Sequence, residues 1–259
     1  MDSTPLKADR SQMSDAEWAA REDLAACYRL VDHYGWSDLF GTHISLRVPG
    51  TTDQFLINPY GVLFEEITAS SLVKVDEQGG ELSPSENGIN PAGFTIHSAV
   101  HMAKDDIHCV IHTHTYAGTG VATLQDGLKP LTQHSLVVLA HTGYHDYEGI
   151  ATDLDERERI AQDLGDNKVL ILRNHGLLTV GETVGEAFMW MYRAERACRM
   201  QLAFQNTGEP VTELPDEVVE TTINRNKFNN SEKGFRTIGK IEWPALRRKL
   251  DRIDPSYKD

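Results

Sequence analysis

Along the chain the spacing of apolar positions changes several times, and each change marks an element. Ser14 stands three residues before Glu17, a capping-box pattern, and Leu24, Cys27, Leu30, Val31 and Tyr34 follow on one helical face, so a helix is expected from Ser14 to Gly35. The period then falls to two. HISLRV, QFLINP and SSLVKV, divided by Pro49-Gly50 and closed by Gln78-Gly79-Gly80, read as short strands of an antiparallel meander. Residues 93–104, GFTIHSAVHMAK, return to helical spacing with Phe94, His97 and His101 aligned, and lead into a strand, HCVIHTH. After a long loop, TQHSLVVLA reads as another strand. DLDERERIAQDLG is a charged surface helix, and KVLILRNHG is a buried strand that ends at His175 and Gly176. Thr183 with Glu186 opens a long helix through Phe188, Met191, Cys198 and Leu202 to Gly208.

Beyond Gly208 the pattern weakens into the polar run NRNKFNNSEKGFR, before Trp243-Pro244 begins a short basic helix. Residues 1–13 read as a flexible arm, 14–210 as the main domain, and 211–259 as an extension that packs on that domain or on a neighbouring subunit. Strands in a block, later interleaved with helices, predict an α/β fold in which a mixed sheet lies between two helical layers. No low-complexity linker divides the 259 residues, so one large unit is expected.

A formal net charge of −14 repels phosphate backbones and anionic lipid, so neither nucleic acid nor a membrane is an expected partner. Cys27, Cys109 and Cys198 are far apart and lack C-x-x-C spacing, which argues against a disulfide framework or a cysteine-zinc site. With a polar N-terminus and no apolar run long enough to span a bilayer, a cytoplasmic protein is expected.

The candidate chemistry lies in the histidines. With 11 of them in the chain, an H-x-H spacing arises by chance roughly half the time, so His112 and His114 need their context. On a strand, Val110, His112 and His114 share one side, and the pair falls at the strand end. His175 closes another predicted core strand, so one sheet edge could gather all three. Three neutral nitrogens with an open fourth position suit a catalytic divalent metal, while the same residues could also be ordinary polar strand ends. The residues after the pair, Thr115-Tyr116-Ala117, do not supply the Asp-His of H-x-H-x-D-H hydrolases, nor do Gly118 to Gly120 supply a cupin glutamate. His97 and His101 lie at i, i+4 with no glutamate of the H-E-x-x-H kind between them, and read as core packing. His134, His141 and His145 either wall a pocket or form polar surface.

The segments INPYGVLFEEITASSLVKVD, NPAGFTIHSAVHMAKDDIHCVIHTHTYAG, GYHDYEGIA and VLILRNHGLLTVGETVGEAF carry a resemblance spanning about residues 40–205. The chain resembles the class II aldolase/adducin family, and its adducin-like branch more than the sugar-phosphate aldolases. The resemblance implies a three-layer αβα fold with a central, mostly antiparallel sheet, and a homotetramer acting on a small-molecule substrate. It assigns His112, His114 and His175 as ligands of a divalent metal, usually zinc and sometimes manganese, iron or cobalt. It also points to His43, Ser45, Tyr60 and Gly61 as substrate-binding positions, the first two in the family's G-N-x-S turn, here Gly41 to Ser45.

The departures narrow the chemistry. The family aldolases carry an acid/base glutamate four residues before the position of His97, and here that residue is Gly93. A displaced S-P-S-E at Ser83 to Glu86 reaches the metal only if the intervening loop folds back. A metal on three histidines can chelate a hydroxyketone or 2-oxo acid and stabilise the enediolate left when a carbon–carbon bond breaks. Retro-aldol cleavage also needs a base for a hydroxyl proton, whereas loss of carbon dioxide does not, so the missing glutamate inclines the reading toward a decarboxylase or an unusual lyase. Glu86, His134, Tyr144, His145 and Tyr116 are candidate proton-transfer residues. The alternative is a catalytically silent adducin-like head that keeps the fold for binding and assembly.

Overall fold

The computed structural model describes residues 6–149, 156–231, 233–234 and 238–259, with the backbone alone at 91 and 92. Helix α1 (Asp15–His33) starts where Ser14 accepts a hydrogen bond from the Glu17 amide. The reciprocal half of that capping box is not made. Glu17 instead turns inward to Arg21 and Lys74, at 3.2 and 3.0 Å, because Arg21 is fully buried and needs an anion beside it. Strands β1 (His43–Arg47), β2 (Gln54–Ile57) and β3 (Val73–Asp76) form the expected antiparallel meander. Helix α2 (Pro91–Ala103) and strand β4 (Cys109–Thr113) follow, with β4 antiparallel to β1 and His43 directly opposite His112.

The stretch TQHSLVVLA is not a strand. It forms helix α4 (Gln133–Leu139), after a short helix α3 (Tyr116–Ala122) inside what reads as loop. Thr132 accepts from the Ser135 amide and Ser135 accepts from the Thr132 amide, a reciprocal cap that overrides the strand preference of the Val137-Val138 pair. The strand comes next, as β5 (Thr142–His145), parallel to β6 (Val169–Leu172). Helix α5 (Glu156–Leu164) is the described part of the charged helix expected from 153. A three-residue turn then connects β6 to β7 (Gly176–Gly181), a strand that the sequence pattern, in which the run KVLILRNHG ends at Gly176, does not assign. Helix α6 (Val184–Gln205) starts at Thr183 as expected, and α7 (Asp216–Asn229) and α8 (Glu242–Ile253) follow. Residues 224–229 of the polar run, where the pattern weakens, lie in α7; its residues 232, 235 and 236 lie outside the described set, as do residues 1–5 of the arm.

The seven strands are ordered β3-β2-β1-β4-β7-β6-β5, all antiparallel except the β5–β6 pair. Alternation along them builds a core on each face of the sheet. Ile44, Leu46, Cys109, Ile111, Ile171 and Leu177 pack under α1, α3, α4, α6 and α8. Val110, Leu170, Leu172, Leu178 and Val180 pack under Ile96 and Val100 of α2 and Ile160 and Leu164 of α5. The fold is therefore three-layered, αβα, with helices on both faces of the sheet. Each of these fully buried aliphatic side chains contributes about 1.5–3 kcal/mol relative to exposure. His43, Ser45 and His112 alternate onto the second face, which places polar groups beneath α2 at the end of the sheet.

Candidate metal centre and its cavity

His112 is the next-to-last residue of β4, His114 lies just past its end, and His175 sits in the turn between β6 and β7. Because β4 and β7 are neighbours, these ends meet. A close approach makes this possible: a Cβ on Gly176 would stand 2.4 Å from the Thr113 carbonyl oxygen, so only glycine lets the turn lie against β4. Asn174, at φ 58°, takes the left-handed conformation that its short amide tolerates and turns the chain before His175. The ring centroids are 4.6 Å apart for His112 and His114, 4.7 Å for His112 and His175, and 4.8 Å for His114 and His175.

The hydrogen bonds fix which nitrogens face inward. His112 donates from Nδ1 to the Leu177 carbonyl at 3.0 Å, and His114 donates from Nδ1 to the Asp38 carboxylate at 3.0 Å. Their Nε2 atoms then carry lone pairs, yet lie only 2.8 Å from each other. Two facing lone pairs repel unless a proton or a cation stands between them. Burial first, then the imidazoles of His175 and His114, holds His112 well below the ordinary histidine range, so a proton there is disfavoured. Burial, then His114 and His145, brings His175 down to about 4. The donor set fits a divalent cation. The potential ligand atoms of the three residues lie within 4.8 Å of one another, and the Leu177 carbonyl and the Asp38 carboxylate, bonded to the outer nitrogens of His112 and His114, orient those rings as metal-ligating histidines require.

The triad opens on a cavity of about 240 Å³, also lined by His43, Asn90, Gly93, Ile96, Tyr147 and Asn174. Of the residues singled out from sequence, His43 is buried in this wall, with neither ring nitrogen hydrogen-bonded. Ser45 lies behind it, bonded at 2.7 Å to both His97 and His101, which are buried packing residues of α2. His145 is buried below the triad with Nδ1 2.8 Å from Asp163 and Nε2 3.4 Å from Glu156; both nitrogens are engaged in tying β5 to α5.

The others lie elsewhere. Glu86 is exposed and borders a separate hollow with Tyr60 and Gly61; the loop after it does not fold back to carry its carboxylate into the cavity wall. His134 faces another recess, between α4 and α7. The Tyr144 hydroxyl accepts from the Leu128 amide at 3.1 Å, under the Arg173 guanidinium. Tyr116 is fully exposed. Asp38 carried no sequence signal, since it reaches His114 from 76 residues away in an irregular turn; Tyr147 lies in the segment GYHDYEGIA that carries the resemblance, but no role is read for it there. Asn174 could have been noticed, because Asn in a short turn is a standard left-handed residue.

The family model for the Class II Aldolase and Adducin N-terminal domain matches residues 22–202. A Caulobacter vibrioides chain that bears the provisional name of aldolase class 2 protein is 50% identical over 98% of both chains. Alpha-adducin of Rattus norvegicus is 40% identical over 95% of this chain, the match covering 35% of the adducin. Among solved structures, the L-fuculose 1-phosphate aldolase of Glaciozyma antarctica superposes with a TM-score of 0.79 at 26% identity, over 94% of this chain and 93% of that one. With its sheet order, its two helical layers and its strand-end histidines, the chain belongs to the class II aldolase and adducin N-terminal domain family.

Proposed function

We propose that the protein is a divalent-metal-dependent carbon–carbon lyase, of decarboxylase or aldolase type, acting on a small oxo acid or hydroxy-carbonyl compound. His112, His114 and His175 are its metal ligands. Zinc suits three imidazoles best, and manganese, iron and cobalt are accepted by the same donors. The observation that carries this reading is the opposed pair of Nε2 atoms, each left without its proton by an outward hydrogen bond. The likeness to L-fuculose 1-phosphate aldolase supports it. A cation held by these three histidines would supply Lewis-acid polarisation of a carbonyl and charge stabilisation as the adjacent carbon–carbon bond breaks.

The chain's own groups do the rest. Asp38 and the Leu177 carbonyl hold the Nδ1 protons of His114 and His112, which keeps the inward nitrogens basic. Ile96 keeps one wall apolar, and Tyr147, half exposed at the mouth, places a phenol beside His175, ring to ring at 6.4 Å. No carboxylate stands on α2 at position 93, which favours loss of carbon dioxide over a cleavage that begins by removing a hydroxyl proton. The protein works as a cytoplasmic homotetramer with neither nucleic acid nor membrane as partner; among the described residues no helix is long and apolar enough to cross a bilayer.

A second reading, a catalytically silent head for binding and assembly, is favoured by Gly93 and by the 40% identity to alpha-adducin. One assay separates the two. Metal-loaded, tag-free protein is offered 2-oxo acids, 3-oxo acids and hydroxyaldehydes, and carbon dioxide and aldehyde release are followed. Turnover that falls to background in His175→Ala supports the lyase. Full metal occupancy with no turnover on any compound favours the silent head.

A further inference from the structure

On the side of β4 away from the cavity, a second set of bonds holds the backbone of the metal centre. His112 and His114 turn toward the cavity, while Thr113 and Thr115 turn the other way, onto α6. The Thr113 hydroxyl meets Met191 Sδ at 3.3 Å, and the Thr115 hydroxyl donates to the Glu195 carboxylate, one turn further along that helix. Thr115 is also the N-cap of α3, accepting from the Gly118 amide at 3.0 Å, so Glu195 holds the start of α3. Helix α3 in turn holds another ligand. Thr119 donates its hydroxyl to the His175 carbonyl at 3.1 Å, and the Ala122 carbonyl accepts from the Asn174 amide at 3.1 Å. One short helix therefore joins the strand end behind His114 to the turn that carries His175. Its fit is close: a Cβ on Gly118 would lie 2.7 Å from both Leu177 Cγ and Thr115 Oγ1.

Glu195 is buried, at 4% exposure, where an apolar side chain of similar size would pack at lower cost than a carboxylate. Packing alone does not ask for it. Its oxygens serve the start of α3, the Thr115 hydroxyl first and the Gly118 amide second. We infer that Glu195 is a positioning residue of the metal centre: through Thr115 it seats α3, and α3 holds the backbones of His114 and His175 at the separation one cation needs. This rests on the three histidines being metal ligands, as read above. Asp38 aims the ring of His114, and Glu195 sets where the backbone behind that ring stands. The tolerance is narrow, because metal–nitrogen distances hold to within about 0.2 Å. A displaced α3 would spread His114 from His175 and weaken the site without removing a ligand.

The test titrates metal-free, tag-free protein with cobalt(II) against a competing chelator and records the ligand-field spectrum of the bound ion, which reports its coordination geometry. Glu195→Leu is expected to weaken cobalt binding about tenfold and to alter the spectrum, and Thr115→Val to do the same. Glu195→Gln keeps an accepting oxygen and Thr115→Ser keeps the hydroxyl, so both should stay within about threefold of wild type. The double variant Glu195→Leu/Thr115→Val should bind no more weakly than the poorer single, because both changes break one path. Arg29→Met, which cuts a tie between α1 and the C-terminal end of the chain, lowers stability by another route and should keep wild-type affinity and spectrum. Should Glu195→Leu fail to fold, Thr115→Val against Thr115→Ser carries the comparison, and equal affinity in those two overturns the inference. Wild-type binding in Glu195→Leu overturns it, as do additive losses in the double variant, a loss in Glu195→Gln as large as in Glu195→Leu, or an equal loss in Arg29→Met. A wild type that binds no cobalt defeats the metal reading itself, and the positioning role with it.

Discussion

Position 93 is a glycine, and the His43 ring on β1 occupies the space that a side chain there would take. Reinstating a glutamate there alone cannot restore a carboxylate to the cavity, because its Cβ would overlap the His43 ring. Gly93→Glu is therefore expected to lower stability by about 1–3 kcal/mol, the range for overpacking, and the double variant His43→Asn/Gly93→Glu to recover most of it, as read from urea midpoints. Equal losses in both would mean that the two positions do not compete. Asp38 supplies the second residue-scale prediction. Asp38→Asn removes the anion that holds the His114 Nδ1 proton, and metal affinity, measured by competition with a chelator, should fall about 10–100-fold. The three candidate ligands were legible in the sequence, since strand ends and a glycine mark them. Asp38 was not, because a side chain reaching across 76 residues from an irregular turn leaves no periodic trace.

Among the elements, α1 is fastened to the sheet through one hydroxyl. Tyr28, fully buried, accepts from the amides of Ile44 at 2.9 Å and Asn58 at 3.1 Å, and donates its proton to the Ile44 carbonyl or the Asn58 side chain. Tyr28→Phe leaves two buried backbone donors unpaired, at a cost of about 2–5 kcal/mol, and should shift the urea midpoint with the m-value unchanged. A shift below about 0.5 kcal/mol would show that the amides find other partners. The helices α1, α2 and α6 and the meander β1 to β3 could be read from caps and period. The strand assigned to TQHSLVVLA could not be corrected from period alone, since Leu136, Val137, Val138 and Leu139 suit either state and the deciding hydrogen bonds belong to Thr132 and Ser135. Strand β7 had no assignment because the expected strand stops at Gly176, where β7 begins, and only the three polar residues Arg173 to His175 separate it from β6.

For the whole molecule, the layered architecture followed from the order of elements, while the closing contacts of the chain did not. Tyr257 is fully buried, and the Ala69 and Ser70 amides donate to the Tyr257 and Asp259 carbonyls at 2.9 Å each. The same end is tied to α1 by Arg29 and Asp254, and α8 by Arg247 to Asp23. Nothing periodic in a four-residue turn announces such packing. Stability should also depend on pH through the two buried histidines of α2, His97 and His101. Burial brings His101 from an ordinary value of 6.5 to about 3, and burial, then His43 and His101, holds His97 well below 6.5. The unfolded chain takes up protons there below about pH 6.5 that the folded chain refuses. This contribution is therefore complete above about 6.5 and is lost as the pH falls toward 3. Melting temperature should drop between pH 7.5 and pH 5, and less steeply in His101→Phe, whose ring keeps the stack on Phe55.

The central claim is that three imidazoles at the sheet edge hold one metal ion. Its most direct test is elemental analysis of protein purified without an affinity tag, for wild type and for His112→Ala, His114→Ala and His175→Ala. About one divalent ion per wild-type chain is expected, with near-total loss in each variant. Equal metal content in wild type and variants, or none in any of them, would contradict the account.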